Sequence, residues 1–191
     1  FGGLARHAAI TEDGFALVVC HEIGHHIGGA PKKKTWFGTT WASNEGQADY
    51  FATSKCLRKT FRNDNNAKIV KNLNVPAIVV NKCAEKFSET AEQLICQRGA
   101  MAGMSTAKLF QNLRNSSEVP DFATPDAKVA SKTDHNHPAT QCRLDTYYSG
   151  AICTVSDMVD VDQEDEAVGA CYRASGDSEG VRPLCWFKPA N

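Results

Sequence analysis

The sequence predicts an α+β fold that is mainly helical, with a small β edge at the N-terminus and a disulfide-stapled C-terminal part. Most of the 191 residues read as capped helices separated by turns. The short apolar stretch at residues 1–9 is typical of the end of an edge strand, and eight cysteines are scattered along the chain. Because this length suits one hydrophobic core, we expect a single domain over residues 1–191.

The composition argues against two classes of partner. The formal net charge is −1 at pH 7, which gives no electrostatic reason to expect binding to nucleic acid or to an acidic membrane surface. No run approaches the roughly 18 apolar residues of a membrane span, and no charged-then-apolar leader opens the chain. The chain begins with Phe1 rather than Met, which favours a mature form or a fragment that lacks an upstream segment.

The cysteines indicate disulfides and hence a periplasmic or secreted protein, with buried free thiols as the alternative. Their number is even, and no Cys-x-x-Cys pair suggests a zinc knuckle or a redox site. Roughly a hundred pairings are possible. Among these, Cys142–Cys153 and Cys171–Cys185 are plausible local bridges.

A motif of the form His-Glu-x-x-His lies in the first predicted helix, which Thr11 caps and which ends before Gly28. His21 and His25 are four residues apart, so they share one helix face and can bind one metal ion. Glu22 lies about a quarter turn away, where it can reach a water on that metal. The alternative is a pair of core histidines without metal, although burying His, Glu and His together is costly.

A second helix is predicted from Ser43, as its cap, to about residue 58, after a loop at residues 31–42. In that loop we interpret the three lysines as a solvated face and the two tryptophans as packing residues. Gly24 in the first helix and Gly46 in the second are each unfavourable by about 1 kcal/mol relative to Ala. Glycines at these positions predict that the two helices pack closely.

Further helices are predicted at residues 67–73, 76–87, 88–114 and 138–151. The third of these is expected to be broken or weakened at Gly99 and Gly103, and residues 116–136 to form a long loop. The acidic residues at 157–166 do not fit a calcium-binding loop, because Asp165 occupies the position that requires Gly. We therefore expect them to form a solvated face.

A catalytic zinc ion needs a third protein ligand and an open position for water. One known pattern places a His three residues after Gly28, but that position holds Pro31, so this pattern fails. The other pattern places a Glu on the following helix, and Glu45 fits it. Asp49 lies one turn beyond Glu45 and can accept a hydrogen bond from a ligand histidine. The alternative is that both are ordinary acids near a helix start.

Three motifs occur in order: His21-Glu22-x-x-His25, Glu45-x-x-x-Asp49, and His137-Pro138 followed by Arg143. Their order and spacing resemble those of the HtpX-type zinc metallopeptidases within the gluzincins. The resemblance covers about residues 2–153 and implies a zincin-like metallopeptidase fold. Two departures, the absence of membrane helices and the eight cysteines, point to a soluble exported member.

The resemblance implies a role for each matching residue. One Zn²⁺ would be bound by His21, His25 and Glu45. Glu22 would be the general base that activates the zinc-bound water. Asp49 would not bind the zinc but would accept a hydrogen bond from the second ring nitrogen of His21.

The resemblance also implies roles for residues outside the zinc ligands. His137 would polarise the scissile carbonyl and stabilise the oxyanion, with His135 as the alternative for this role. Arg143 would either anchor its helix on an acid such as Asp49 or contact substrate. Residues 2–6 would be the edge strand to which an extended peptide adds. His7 and His26 are weaker candidates.

The sequence thus predicts an exported zinc endopeptidase that cleaves extended or unfolded protein segments. An inactive zinc-binding scaffold of the same fold is the alternative, although it would have no need of Glu22 or His137. A deformylase-like amide hydrolase is a third class, but its Cys ligand has no counterpart here because Cys20 lies on the wrong face of the helix.

Overall fold

The computed structural model describes residues 2–189 and shows a helix-rich α+β architecture with a two-stranded sheet. The helices are α1 (Gly2–Ala5), α2 (Glu12–Ile27), α3 (Glu45–Phe51), α4 (Leu57–Phe61), α5 (Asn66–Lys71), α6 (Ala77–Lys86), α7 (Thr90–Leu113) and α8 (Thr140–Ala151). The strands are β1 (Lys32–Thr35) and β2 (Gly38–Ser43). In residues 2–189 no helix is long and apolar enough to cross a membrane.

α3 and α4 are joined by a π-helical turn, Ala52–Cys56, into one continuous helical run. Asn44 rather than Ser43 caps this run, because its Oδ1 accepts a hydrogen bond of 2.8 Å from the N–H of Gln47. Ser43 ends β2, and its hydroxyl donates to the carbonyl of Gly29 at 2.7 Å. The predicted cap was therefore wrong by one residue. Ser43 and Asn44 can both cap a helix, but Ser43 belongs to β2 and its hydroxyl bonds to Gly29, so Asn44 is the cap.

α7 is the central helix and packs against α2, α6 and α8. The predicted break at Gly99 and Gly103 was wrong, since α7 is continuous from Thr90 to Leu113. A Cβ on Gly103 would come within 2.6 Å of the Cβ of Tyr147 on α8. The glycine therefore permits a close helix contact, and the burial gained there offsets its low helix propensity.

α2 and α3 also pack closely, as predicted, but of the two glycines only Gly24 lies at their contact. A Cβ on Gly24 would lie 3.0 Å from both the Cα and the carbonyl oxygen of Ala48. This close contact places one face of α2 directly against the start of α3, so side chains from the two helices can reach a common point.

Gly46 shows the same constraint on the other side of α3, and we expect Gly46→Ala to destabilise the protein. Its Cβ would overlap the indole of Trp186, which is fully buried and donates to Thr146 Oγ1 at 3.0 Å. Overpacking of this kind costs about 1–3 kcal/mol. Urea unfolding measures the loss. Gly3→Ala is the control, because no atom lies within 4 Å of its added Cβ, and an equal loss in both variants would contradict the packing argument.

The predicted edge strand at residues 2–6 was wrong, because Gly2–Ala5 forms the short helix α1. Leu4 and Ala5 are good helix formers. The sheet of residues 2–189 consists only of β1 and β2, so this segment has no strand beside it to pair with.

Residues 31–42 were expected to be a loop, but they contain most of a β-hairpin. β1 and β2 are antiparallel, with Thr35 opposite Gly38 and Lys32 opposite Ser43. Gly38 has φ +119°, a conformation that favours glycine at the turn. The expectation of packed tryptophans was also wrong: Trp36 is 95% exposed and Trp41 66% exposed.

Four disulfides pair all eight cysteines: Cys20–Cys56, Cys83–Cys96, Cys142–Cys185 and Cys153–Cys171. The predicted disulfide framework is present, but both suggested local bridges were wrong. Cys142 and Cys185 instead belong to a buried cluster with Trp186 and Phe187, which brings the C-terminal segment onto α8. Nearness in sequence did not reveal this contact. A bridge that closes a loop of this length stabilises the fold by about 3–4 kcal/mol.

The C-terminal segment is also held by a buried arginine. Arg182 is 2% exposed, and its Nε donates to Oε1 of Gln47 on α3 at 2.6 Å. The acidic residues at 157–166 are mostly exposed, as expected for a solvated face. Asp157 is the exception, since it is buried and pairs with Arg62 at 2.6 Å.

Candidate metal centre

α2 presents the two motif histidines side by side. Thr11 caps the helix by accepting a hydrogen bond of 3.0 Å from the N–H of Gly14. The inner face of the helix is buried and includes Leu17 and Gly24. One turn apart on this helix, the Nε2 atoms of His21 and His25 lie 3.1 Å from each other. Both rings therefore direct the same nitrogen to one point.

Glu45 approaches that point from the first turn of α3. Its Oε2 lies 3.3 Å from Nε2 of His21, and its Oε1 lies 3.7 Å from Nε2 of His25. A tetrahedral zinc ion with N and O ligands at 2.0–2.1 Å has ligand-to-ligand distances of about 3.3 Å. The three side chains thus already have the separations that one zinc ion requires.

The tautomers of the two histidines follow from their outer nitrogens. Nδ1 of His25 lies 2.9 Å from the carbonyl oxygen of Ser43, which can only accept, so Nδ1 carries the proton. Nδ1 of His21 lies 2.7 Å from Oδ1 of Asp49, off the direction of a linear hydrogen bond, and the carboxylate favours a proton there as well.

The consequence is that two lone pairs face each other in the centre. When both rings are neutral, which is the state in which histidine binds a metal, each Nε2 is unprotonated, and the two atoms are only 3.1 Å apart. Oε2 of Glu45 beside them is buried, with ring nitrogens of His21 at 3.3 Å and of His137 at 2.9 Å, but neither contact has hydrogen-bond geometry. Two imidazole nitrogens and a carboxylate that converge in this way fit a divalent cation such as Zn²⁺.

The charges around His21 are arranged in a buried chain. Arg143 forms a two-pronged ion pair with Asp49, with Nε to Oδ2 at 2.8 Å and Nη2 to Oδ1 at 2.6 Å. Both side chains are almost fully buried, at 4% and 0% exposure. Asp49 in turn contacts His21, so the arginine holds the carboxylate that orients a candidate ligand.

This chain of charges shifts the pKa values of its members. Burial by itself would raise the pKa of the Asp49 carboxyl, but the charges of Arg143 and His21 lower it to about 2. Burial by itself would lower the pKa of His21, but the charges and contacts of Asp49 and Glu45 raise it to about 9. Burial would also raise the pKa of Glu45, which His21 and other histidines instead lower. A local negative potential therefore favours a cation at this point.

His137 lies on the open side of the cluster. Its side chain is 62% exposed, and its Nδ1 lies 2.9 Å from Oε2 of Glu45. Pro138 was predicted to be the first residue of a helix. α8 instead begins at Thr140, two residues later. The imidazole is accessible to a ligand that approaches the cluster from solvent.

The other histidines lie outside the cluster. Nδ1 of His135 contacts the side chain of Asn44 at 3.2 Å, and the His26 ring packs against Trp41 at a tilt of 42°, with 4.9 Å between centroids. His7 accepts a hydrogen bond from the backbone of Ala9 at 3.1 Å. None of these three is among the side chains that converge on His21 and His25.

Glu22 is exposed and borders a cleft of about 310 Å³. His21, His137 and Arg143 line its polar side. Apolar side chains form most of the remaining wall: Leu4, Leu17, Val18, Leu109, Phe110 and Leu113. The cleft therefore joins a candidate metal centre and a free carboxylate to an apolar recess.

Two residues of this region were missed by the sequence reasoning. Tyr147 lines the cleft, and its buried hydroxyl makes no hydrogen bond. Phe110 lies under the guanidinium of Arg143, at 4.2 Å from the ring centroid. Tyr147 follows Arg143 by four residues in α8, so helical spacing was a signal that could have identified it. Phe110 had no comparable signal.

Comparison of the chain with protein-family models, with curated proteins and with solved structures finds no match. Its function is therefore inferred from its own residues, distances and charges.

Proposed function

We propose that this protein is a zinc-dependent metalloendopeptidase with a zincin-like fold of the HtpX type. It binds one Zn²⁺ through His21, His25 and Glu45. The observation that carries this proposal is the convergence of two Nε2 atoms and a half-buried carboxylate at tetrahedral separations, 3.1 to 3.7 Å.

Zinc, when bound, supplies a Lewis acid for the scissile carbonyl and makes a water more acidic. Glu22 is the general base that takes a proton from this water and returns it to the leaving amine. Its exposed position at the edge of the cleft suits both transfers. Because it borders the same cleft as His21, it can act on a water there without being a metal ligand.

His137 stabilises the developing negative charge on the carbonyl oxygen. Its Nδ1 contacts Glu45 at 2.9 Å, and its ring lies on the solvent side of the cluster, where a substrate carbonyl would approach. Arg143 and Asp49 act through His21 by holding its ring and its proton in place.

The substrate is an exposed polypeptide segment with an apolar side chain near the cleaved bond. The recess beside Glu22 and His137 has a volume of about 310 Å³, which accommodates one large apolar side chain. Leucines and Phe110 line it. The four disulfides suit an exported protein, which would meet such segments in the periplasm or outside the cell.

Cleavage of unfolded casein by the purified protein tests this proposal. We expect cleavage that stops after chelation and returns after one equivalent of zinc is added. Zinc binding without cleavage of casein or of unfolded peptides would favour the inactive scaffold over the enzyme.

Glu45→Ala tests the third ligand. We expect the zinc affinity to fall by about 100-fold or more, because the cation loses its only carboxylate among the three converging side chains. Glu12→Ala is the matched control, since Glu12 is also a first-turn acid but is exposed on α2. Equilibrium dialysis with zinc compares the two variants. Equal affinity in both would mean that Glu45 is an ordinary acid near a helix start.

A further inference from the structure

The tip of the β1–β2 hairpin exposes two adjacent aromatic side chains. Trp36 is 95% exposed and Phe37 is 97% exposed. Aromatic side chains of this size normally bury most of their surface. Two of them at the apex of a turn, with almost no contact to the rest of the protein, indicate a surface that becomes covered by something else.

The apolar surface continues beyond the tip. Trp41 on β2 is 66% exposed and lies against His26 of α2. Val19, Ile23 and Ile27 follow each other at intervals of four residues on the solvent side of α2, with exposures of 45%, 41% and 55%. We call the hairpin tip, Trp41 and these three α2 residues the outer face.

Lysines lie beside the hairpin tip of the outer face. Lys32 donates to the carbonyl of Trp41 at 2.8 Å, and Lys33 and Lys34 are exposed on β1. Lys33 lines a surface pocket together with Lys128 and Lys132. This local excess of positive charge is hidden in the net charge of −1 of the whole chain.

Acids lie near some of these five lysines, among them Asp126, whose Oδ1 accepts a hydrogen bond of 2.9 Å from the N–H of Lys128. Glu164 and Glu166 line the pocket that Lys32 and Lys34 border, and Asp134 lies 3.9 Å from Lys128. These two glutamates share their pocket with Trp41 as well, whereas Lys33 lines a different pocket. The pocket beside Lys33 is lined by three lysines and one acid, Asp134, so a surplus of positive charge lies on the Lys33 side.

We infer that the hairpin is an anchor for an anionic lipid bilayer surface, with Trp36 and Phe37 inserted among the headgroups. Tryptophan and phenylalanine prefer this interfacial depth, and nearby lysines are attracted to anionic headgroups. A narrow two-residue apex suits insertion between lipids.

The inference is independent of the proposed function, although it would bring the metal centre near the membrane. β2 spans six residues from the tip to Ser43, whose carbonyl contacts His25. At roughly 3.3 Å per residue, the cluster lies about 20 Å from the inserted tip.

Vesicle co-sedimentation tests the anchor. We expect the wild type to sediment with vesicles that contain phosphatidylglycerol and to remain in solution with pure phosphatidylcholine. The double variant Trp36→Ser/Phe37→Ser should partition at least about tenfold less. Val119→Ser/Met158→Ser is the control, since both residues are 66% exposed but lie outside the outer face, and it should sediment like the wild type.

Lys33→Glu/Lys34→Glu should weaken sedimentation to a similar extent, and added salt should weaken that of the wild type. Glu22→Gln should sediment normally, which separates the anchor from catalysis. Failure of the wild type to bind anionic vesicles, or unchanged binding by the tip variant, would overturn the inference. A dimer that dissociates in the tip variant, without vesicle binding, would show instead that a second copy covers the outer face.

Discussion

Replacing Glu22 by Gln is expected to reduce peptide hydrolysis by about 10²–10⁴-fold while one zinc ion per chain remains bound. Gln has nearly the same shape as Glu but cannot accept a proton from water. Glu22 is exposed at the border of the cleft, next in sequence to the candidate ligand His21. The substitution should therefore leave the fold and the three converging side chains unchanged.

Casein cleavage and zinc content are measured on the same preparation. Glu12→Gln is the control, because this glutamate is exposed on the same helix and is not a cleft residue. Cleavage by Glu22→Gln near the wild-type rate would mean that another group is the base. Loss of zinc together with activity would place Glu22 among the ligands.

Arg143→Met is expected to destabilise the fold by about 3–5 kcal/mol, because it leaves the Asp49 carboxylate buried without its partner. Asp49 is fully buried, and Arg143 provides two of its contacts at 2.8 and 2.6 Å. Urea unfolding at pH 7 measures the loss. Arg114→Met is the control, since Arg114 is exposed and stands near the same aromatic ring, Phe110.

The acid dependence of stability provides a second readout of the same pair. The pKa of Asp49 is lowered from its ordinary value of 3.8 to about 2, mainly by Arg143 acting against burial. Its contribution to stability is therefore complete above about pH 4 and is lost as the pH falls towards 2. In Arg143→Met this part of the acid dependence should disappear. The double variant Asp49→Leu/Arg143→Met should lose less stability than Arg143→Met alone, and a larger loss would contradict the explanation by an unpaired charge.

Local sequence patterns predicted the helices that carry the candidate site. Thr11 caps α2 as expected, because a hydroxyl before a run of helix-forming residues is a strong local signal. The spacing of His21 and His25 predicted that they share one face, and the structure places Glu45 and Asp49 beside them. The spacing could not give the distances, which depend on how closely α2 packs on α3 at Gly24.

The errors of the sequence reasoning arose where contacts between residues distant in sequence determine the structure. Cys142 pairs with Cys185 rather than with Cys153 because the C-terminal segment folds back on α8. The glycines in α7 were interpreted as breaks, but they accommodate the neighbouring helix α8. Trp36 was expected to pack, because most tryptophans are largely buried. Its exposure follows from its place at a hairpin apex, which the sequence pattern did not identify.

X-ray absorption at the zinc edge, on protein loaded with one equivalent of zinc, tests the central claim most directly. We predict a shell of about four nitrogen and oxygen ligands at 2.0–2.1 Å that includes two imidazoles, from His21 and His25. A shell with sulfur at about 2.3 Å, or a hydrated ion without imidazole, would contradict a zinc site formed by His21, His25 and Glu45.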